Sequence, residues 1–113
     1  MNLEAKEFIK ILKDNEQLWN DSELVGSKIK SYWGNEDEKE VFIAKFAPDT
    51  FVPLHDHPGR EFTYVLKGEM RVNNKEFYTG DFLTAGPGDC HEILFVKETV
   101  CLIITEKNIQ FIN

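Results

Sequence analysis

The sequence predicts an all-β protein, a sandwich or closed barrel of short antiparallel strands. From Ser27 onward, short apolar stretches recur at intervals of roughly 8–12 residues, separated by Gly, Pro, Asn and Asp. That rhythm belongs to sandwiches and barrels and not to βαβ folds. The chain has 113 residues, 42% of them hydrophobic and nine of them Phe. This is enough for one core that hides roughly two-thirds of the unfolded surface.

Residues 1–20 read as a lead-in to a barrel over 27–113. Phe8, Ile9, Ile11 and Leu12 sit among Lys and Glu, and the i, i+4 spacing of Phe8 and Leu12 predicts a short amphipathic helix from Leu3 to Lys13. Leu18 and Trp19 form an apolar anchor before the turn signal Asn20-Asp21-Ser22. Strands follow around Ile29 to Trp33, Val41 to Phe46, Phe62 to Leu66, Met70 to Val72, Ile93 to Val96 and Val100 to Thr105, with a last piece at Ile109 and Phe111. Lys67-Gly68-Glu69 is expected to be a tight hairpin, with further turns at Asn73-Asn74, Thr79-Gly80-Asp81 and Gly86-Pro87-Gly88. The acidic run from Asn35 to Glu40 is read as a solvated tip.

Composition narrows the functions. The apolar content is too high for a disordered chain despite the net charge of -7. No apolar run approaches the ~18 residues of a membrane span, and the N-terminus lacks a signal-peptide apolar region. Twenty acids against 13 bases argue against nucleic-acid binding. Cys90 and Cys101, without a secretion signal, predict a reducing cytoplasmic setting and buried structural thiols.

All three histidines fall between His55 and His91. His55 and His57 are two apart, so in a strand both imidazoles leave one face, roughly 7 Å apart at Cα. Two imidazoles so placed can chelate one ion. Glu61, after the Pro58-Gly59 turn, brings a carboxylate to the same point, and His91 follows the later Gly86-Pro87-Gly88-Asp89 bend. Three imidazoles and a carboxylate make a borderline-soft N/O site suited to Fe, Ni, Cu, Zn or Mn. The candidate ligands are therefore His55, His57, Glu61 and His91.

This pattern resembles the cupin superfamily. His55, His57, Glu61 and Gly68 match the first cupin motif, and Gly80, Gly88 and His91 match the second. Asp49 stands where the first motif opens with Gly, Gly86 and Pro87 displace the proline by one, and Phe95 replaces the closing Asn. Trp19 through Gly68 further resembles the cupin domains of ChrR-type anti-sigma factors and related small dioxygenase-like proteins. Those anti-sigma factors carry a separate N-terminal zinc module built on His and Cys. Residues 1–54 contain neither residue type, so the sigma-factor role lacks sequence support.

The resemblance implies a double-stranded β-helix, a cupin jelly-roll barrel, with one divalent transition metal per chain: Fe(II), Zn, Ni or Mn. Counting by twos from the ligands, Thr63, Val65, Phe82 and Ile93 line the pocket, as do Thr84, Leu102 and Ile104. Phe51, four residues before His55, caps it. The implied activity is dioxygenase chemistry on a small enolizable or phenolic compound. A non-redox isomerase or lyase and a non-catalytic small-molecule binder or sensor remain open. Arg60, Tyr64 and Glu92 count outward, which leaves no separate acid or base. The resemblance also implies a homodimer, with Tyr64, Leu66 and the tail residues Ile109, Phe111 and Ile112 as candidate contacts.

Overall fold

A computed structural model of the chain describes residues 9–34, 39–106 and the backbone of 110–111. Its strands are β1 (Asn20–Asp21), β2 (Ser27–Trp33), β3 (Glu40–Phe46), β4 (Phe51–Asp56), β5 (Glu61–Lys67), β6 (Glu69–Val72), β7 (Lys75–Tyr78), β8 (Phe82–Ala85), β9 (His91–Phe95), β10 (Thr99–Thr105) and β11 (Gln110–Phe111). They form a six-stranded sheet in the order β1-β2-β3-β10-β5-β8 and a five-stranded sheet in the order β11-β4-β9-β6-β7. The pairings are antiparallel in both sheets. This is the two-sheet jelly roll that the sequence predicts.

Period-2 alternation builds the core. On the six-stranded sheet the inward rows run across β3, β10 and β5 as Ala44–Cys101–Val65, Phe42–Ile103–Thr63 and Glu40–Thr105–Glu61. Val52, Met70, Val72, Ile93 and Phe95 face them from the other sheet. Phe46 and Phe95 stack across the interior, with centroids 3.8 Å apart and planes 6° apart. Burying one such ring stabilises the fold by roughly 2–3 kcal/mol. Phe95 is the residue that replaces the Asn of the second motif, so a packing contact stands where a polar side chain was expected.

The outer face of the same sheet is also apolar. Ile43, Leu102, Tyr64 and Phe82 lie side by side across β3, β10, β5 and β8. Strand β10 therefore carries hydrophobic residues on both faces, and its sequence shows no alternation from which to read its phase.

The turn at Gly68 corrects an expectation. β5 and β6 do not pair; they belong to opposite sheets, and Gly68 is the corner where the chain changes layer. Its φ of +113° suits glycine, and a Cβ there would lie 2.6 Å from both Glu98 O and Thr99 Cα. Thr99 locks the corner: its hydroxyl accepts from the Glu69 N–H at 3.2 Å. The true tight hairpin is one turn later, at Asn73 and Asn74, both with positive φ, as a two-residue primed turn requires.

The lead-in also differs from expectation. Residues 3–8 of the expected helix lie outside the described residues, and residues 9–13 are not helical. A single 3₁₀ turn, Asp14–Glu16, follows. This segment crosses the outer face of β2 and β3. The Lys30 ammonium bonds Asp14 at 3.0 Å and lies 4.7 Å over the Trp19 ring, with Lys45 4.5 Å from the same ring. Lys30 is buried because these partners replace its water.

Candidate metal centre

The centre is assembled from β4, β5 and β9. His55 and His91 are register partners on β4 and β9. A bulge interrupts β4: Val52 opposes Ile93 and His55 opposes His91, so β4 spends one extra residue over that interval. Pro53 and Leu54 occupy the irregular stretch, a position where a proline costs no ladder hydrogen bond. The bulge sets both Val52 and His55 inward. Asp49, in the place of the motif glycine, adopts φ 68°, a left-handed conformation that Asp tolerates better than most residues.

Two loops meet at the histidines. The Asp56 carboxylate accepts from the His57 N–H at 2.7 Å and from the Gly88 N–H at 2.8 Å, tying the end of β4 to the Gly86–Asp89 turn. These two donors hold its carboxyl below the usual carboxylate range. Asp89 closes the same turn, its carboxylate accepting from the Gly86 N–H at 3.0 Å.

Backbone carbonyls orient two of the rings. His55 Nδ1–H donates to the Pro53 carbonyl at 2.8 Å, and His57 Nδ1–H donates to the Asp89 carbonyl at 2.9 Å. A carbonyl only accepts, so the proton sits on Nδ1 and the lone pair on Nε2. The ring planes cross steeply, at 68° for His55–His57, 81° for His55–His91 and 76° for His57–His91. One ligand atom from each of His55, His57, Glu61 and His91 lies within 4.8 Å of the others, and all four residues are buried. Thr63 donates from its hydroxyl to Glu61 Oε1 at 3.0 Å, which leaves Oε2 facing the imidazoles.

His57 Nε2 lies 2.7 Å from Glu61 Oε2, and His91 Nε2 lies 3.9 Å from it. His57 Nε2, Glu61 Oε2 and His91 Nε2 are buried and make no hydrogen bond of ordinary geometry. Such orphaned atoms carry a desolvation cost of roughly 1–3 kcal/mol each. These atoms converge on one point and fit a bound cation: the four side chains could hold a metal ion.

The electrostatics agree with that chemistry. Burial, reinforced by His55, pushes the His91 pKa down to about 4. His55 is also lowered, chiefly by burial. His57 moves the other way because of its contact with Glu61. Burial opposes the charge of Glu61, but His57, His91 and the Thr63 hydroxyl together hold its carboxyl below the ordinary value. The site thus keeps two imidazoles neutral and its carboxylate ionised.

A cavity of about 660 Å³ opens from His55 and Glu61 between the sheets. Its walls are mostly apolar: Leu24, Ile29, Phe42, Ala44, Phe46, Val52, Ile93 and Ile103, with Glu40 and Thr105 near the ligands and Ser22 and Glu23 toward the β1–β2 loop. Of the residues counted as lining, Ile93 is in the cavity wall, while Thr63 and Val65 are buried but do not line it. Phe51, Phe82, Thr84, Leu102 and Ile104 do not line it. Phe51 is 46% exposed, because the bulge shifts the phase and puts Val52 inside. Phe82 turns outward beside Phe62, 6.4 Å away, and Leu83 and Ala85 take the inward positions opposite Thr63 and Glu61. Leu102 and Ile104 lie on the outer face, with Cys101 and Ile103 inside. Glu40 was hidden in an acidic run, although its even spacing from Phe42, Ala44 and Phe46 is the signal that places it inward.

Cys101 is buried and Cys90 half-buried, and both are free thiols. Burial pushes the Cys101 thiol up to about 12. Among the described residues, no helix is long and apolar enough to cross a membrane.

Comparison with known proteins agrees with this architecture. KdgF from Halomonas sp. superposes with a TM-score of 0.73 at 18% identity, covering 88% of this chain and 94% of that one. An acetylacetone dioxygenase from Acinetobacter johnsonii gives 0.75 at 16% identity, covering 93% and 77%. The anti-sigma factor ChrR, solved with SigE of Rhodobacter sphaeroides, gives 0.70 at 23% identity, covering 83% of this chain and 52% of that one. The present chain thus spans about half the length of that ChrR chain. At these identities the likeness is one of fold. No protein of curated function matches the sequence. The sequence itself matches the family described as the ChrR cupin-like domain over residues 10–110, a span that takes in both sheets and all four converging side chains. The chain belongs to the ChrR cupin-like domain family.

Proposed function

We propose that the protein is a mononuclear-metal enzyme of the dioxygenase type, acting on a small enolizable or phenolic compound. One divalent transition ion per chain, Fe(II), Zn, Ni or Mn, is held by His55, His57, Glu61 and His91. When bound, the ion supplies Lewis-acid polarisation of a substrate oxygen and, if it is iron, redox chemistry. The observation that carries this reading is the set of buried, unpartnered ligand atoms on His57, Glu61 and His91. The protein's own groups do the rest. Pro53 and Asp89 hold the protons of His55 and His57 on Nδ1, keeping Nε2 available. Phe42, Val52, Ile93 and Ile103 line the cavity and exclude water from an apolar substrate body.

Elemental analysis of protein purified without a metal-affinity tag tests the centre, and oxygen uptake with Fe(II) and candidate 1,3-dicarbonyls or phenols tests the reaction. Absence of metal in the purified protein, together with no uptake on titration, would overturn the proposal.

A second reading is favoured by the family match itself. The ChrR of the solved complex is an anti-sigma factor bound to SigE, so a metal-dependent binding or sensing role with a protein partner fits the same fold. A binder would show ligand-induced stabilisation without turnover. As part of the proposal we place the protein in the cytoplasm as a homodimer. Exposed Tyr64 and Leu66 on β5 would form the contact, while the tail side chains at 109, 111 and 112 lie outside the described residues. Sedimentation of Tyr64→Lys tests this: a monomer is expected, and an unchanged dimer would exclude that face.

A further inference from the structure

His57 is held from two sides. Its ring donates from Nδ1–H to the Asp89 carbonyl at 2.9 Å, and its backbone N–H donates to the Asp56 carboxylate at 2.7 Å. The same Asp56 oxygen, Oδ1, accepts from the Gly88 N–H at 2.8 Å. One carboxylate oxygen therefore fixes both the backbone of His57 and the turn carrying the carbonyl that the ring bonds. That turn has little else to hold it at this end. Pro87, Gly88 and Asp89 are exposed, so none of them packs into the core. The Asp89 N–H and carboxylate both bond Gly86, within the turn itself, and the Arg60 guanidinium lies against Gly86 at its start. Gly88 reaches Asp56 with φ +89°, a left-handed conformation that glycine adopts freely. Two residues beyond Asp89 the chain enters β9 at His91.

We infer that Asp56 is a positioning residue for His57: by clamping the Gly86–Asp89 turn to the end of β4, it keeps the Asp89 carbonyl against Nδ1 and so aims Nε2 at the point where His55, Glu61 and His91 converge. The inference rests on the reading of these four side chains as a metal centre and adds a residue to its support. A neutral imidazole carries its proton on one nitrogen, and the partner of the ring decides which. Without Asp56 the turn and its carbonyl are released, and Nε2 takes the proton for part of the time. A protonated nitrogen has no lone pair to offer a cation. Asp56 acts here as an acceptor more than as a charge. Both of its bonds go to one oxygen, and the side-chain carbonyl of an asparagine can reproduce them.

Asp56→Ala and Asp56→Asn test this against wild type. Nitrogen NMR of the imidazoles in chelator-treated protein, at a pH well above the ordinary imidazole range, reads the tautomers. Competition with a chromophoric chelator reads zinc affinity. In wild type the His57 proton should sit on Nδ1. Asp56→Ala should move a measurable share of it to Nε2 and weaken zinc roughly 10–100-fold. His55, whose Nδ1–H bonds the Pro53 carbonyl, should keep its tautomer, which a general loosening of the fold would not allow. Asp56→Asn should keep the wild-type tautomer of His57 and hold zinc within about fivefold, the effect of the missing charge. The same spectra report folding; if Asp56→Ala does not fold, Asp56→Ser, too short to span both donors, replaces it with the same expectation. A wild-type proton on Nε2, an unchanged His57 tautomer in Asp56→Ala, or Asp56→Asn as impaired as Asp56→Ala would overturn the inference. The tautomers are read without metal, so a wild type that takes up no zinc defeats the metal centre and leaves the tautomers to decide for Asp56.

Discussion

His55 and His91 face each other as a cross-strand pair on β4 and β9, their ring centroids 4.5 Å apart and their planes crossing at 81°. Two neutral imidazoles tolerate this approach in a dry interior, and two charged ones do not. The pair therefore stakes part of the fold's stability on its protonation state.

The first prediction concerns pH. The His91 pKa falls from about 6.5 in the unfolded chain to about 4 in the folded one, and His55 shifts in the same direction. Between those values the unfolded chain binds more protons, so stability rises with pH. This stabilisation is complete above about pH 6.5 and is lost as pH falls toward about 4. His57, shifted upward, works in the opposite sense and offsets part of the effect. Urea denaturation of chelator-treated protein should show a net loss on the order of 2 kcal/mol between pH 7 and pH 4.5. A flat profile would contradict the assignment.

The second prediction concerns the ligands. His57→Ala should abolish stoichiometric binding, measured by elemental analysis after titration and desalting. Thr63→Val removes the hydroxyl that restrains Glu61 Oε1. It should weaken metal affinity by roughly 10–100-fold while leaving the stoichiometry intact. Full affinity in Thr63→Val would mean that Glu61 needs no such support.

The third prediction concerns Gly68. An alanine there meets backbone atoms of Glu98 and Thr99 at 2.6 Å and strains a positive φ. Gly68→Ala should cost roughly 2–4 kcal/mol, seen as a lower melting temperature. Loss below about 0.5 kcal/mol would show that the corner yields easily.

The fourth prediction concerns the thiols. Cys101 is buried, with its pKa near 12, and Cys90 is half-buried. A thiol reagent at pH 8 should modify Cys90 in the native protein and reach Cys101 only on unfolding. Equal rates for both would refute the burial of Cys101.

The sequence made the four converging side chains legible because their spacing encodes a face. His55 and His57 share a strand phase, and Glu61 and His91 follow turns rich in Gly and Pro. The inward phase was legible only where one of those side chains on the same strand set it, as with Thr63 and Val65 on β5 and Ile93 on β9, and of these three Ile93 lines the cavity. Strand β10 carries no such marker, and its outer face is apolar as well, so Leu102 and Ile104 were indistinguishable from Cys101 and Ile103. Gly68 reads locally as a hairpin because a positive φ serves a layer change equally well; only the distant partners of β5 and β6 separate the two. Over residues 9–13 the lead-in helix does not form: it was inferred from five residues of periodicity, too little to set against the contacts that Asp14 and Trp19 make with Lys30 on β2.

The irregularity at Pro53 and Leu54 has a consequence for how this family can vary. It works as a phase converter: upstream of it β4 follows the rhythm of the apolar wall, and downstream that of the converging histidines. Point substitutions on either side leave the two rhythms aligned with their separate tasks. Removing one residue from the bulge would turn Val52 out or the histidines out, whichever half the ladder held fixed. Length, more than residue identity, is the property of this short stretch under the tightest restraint.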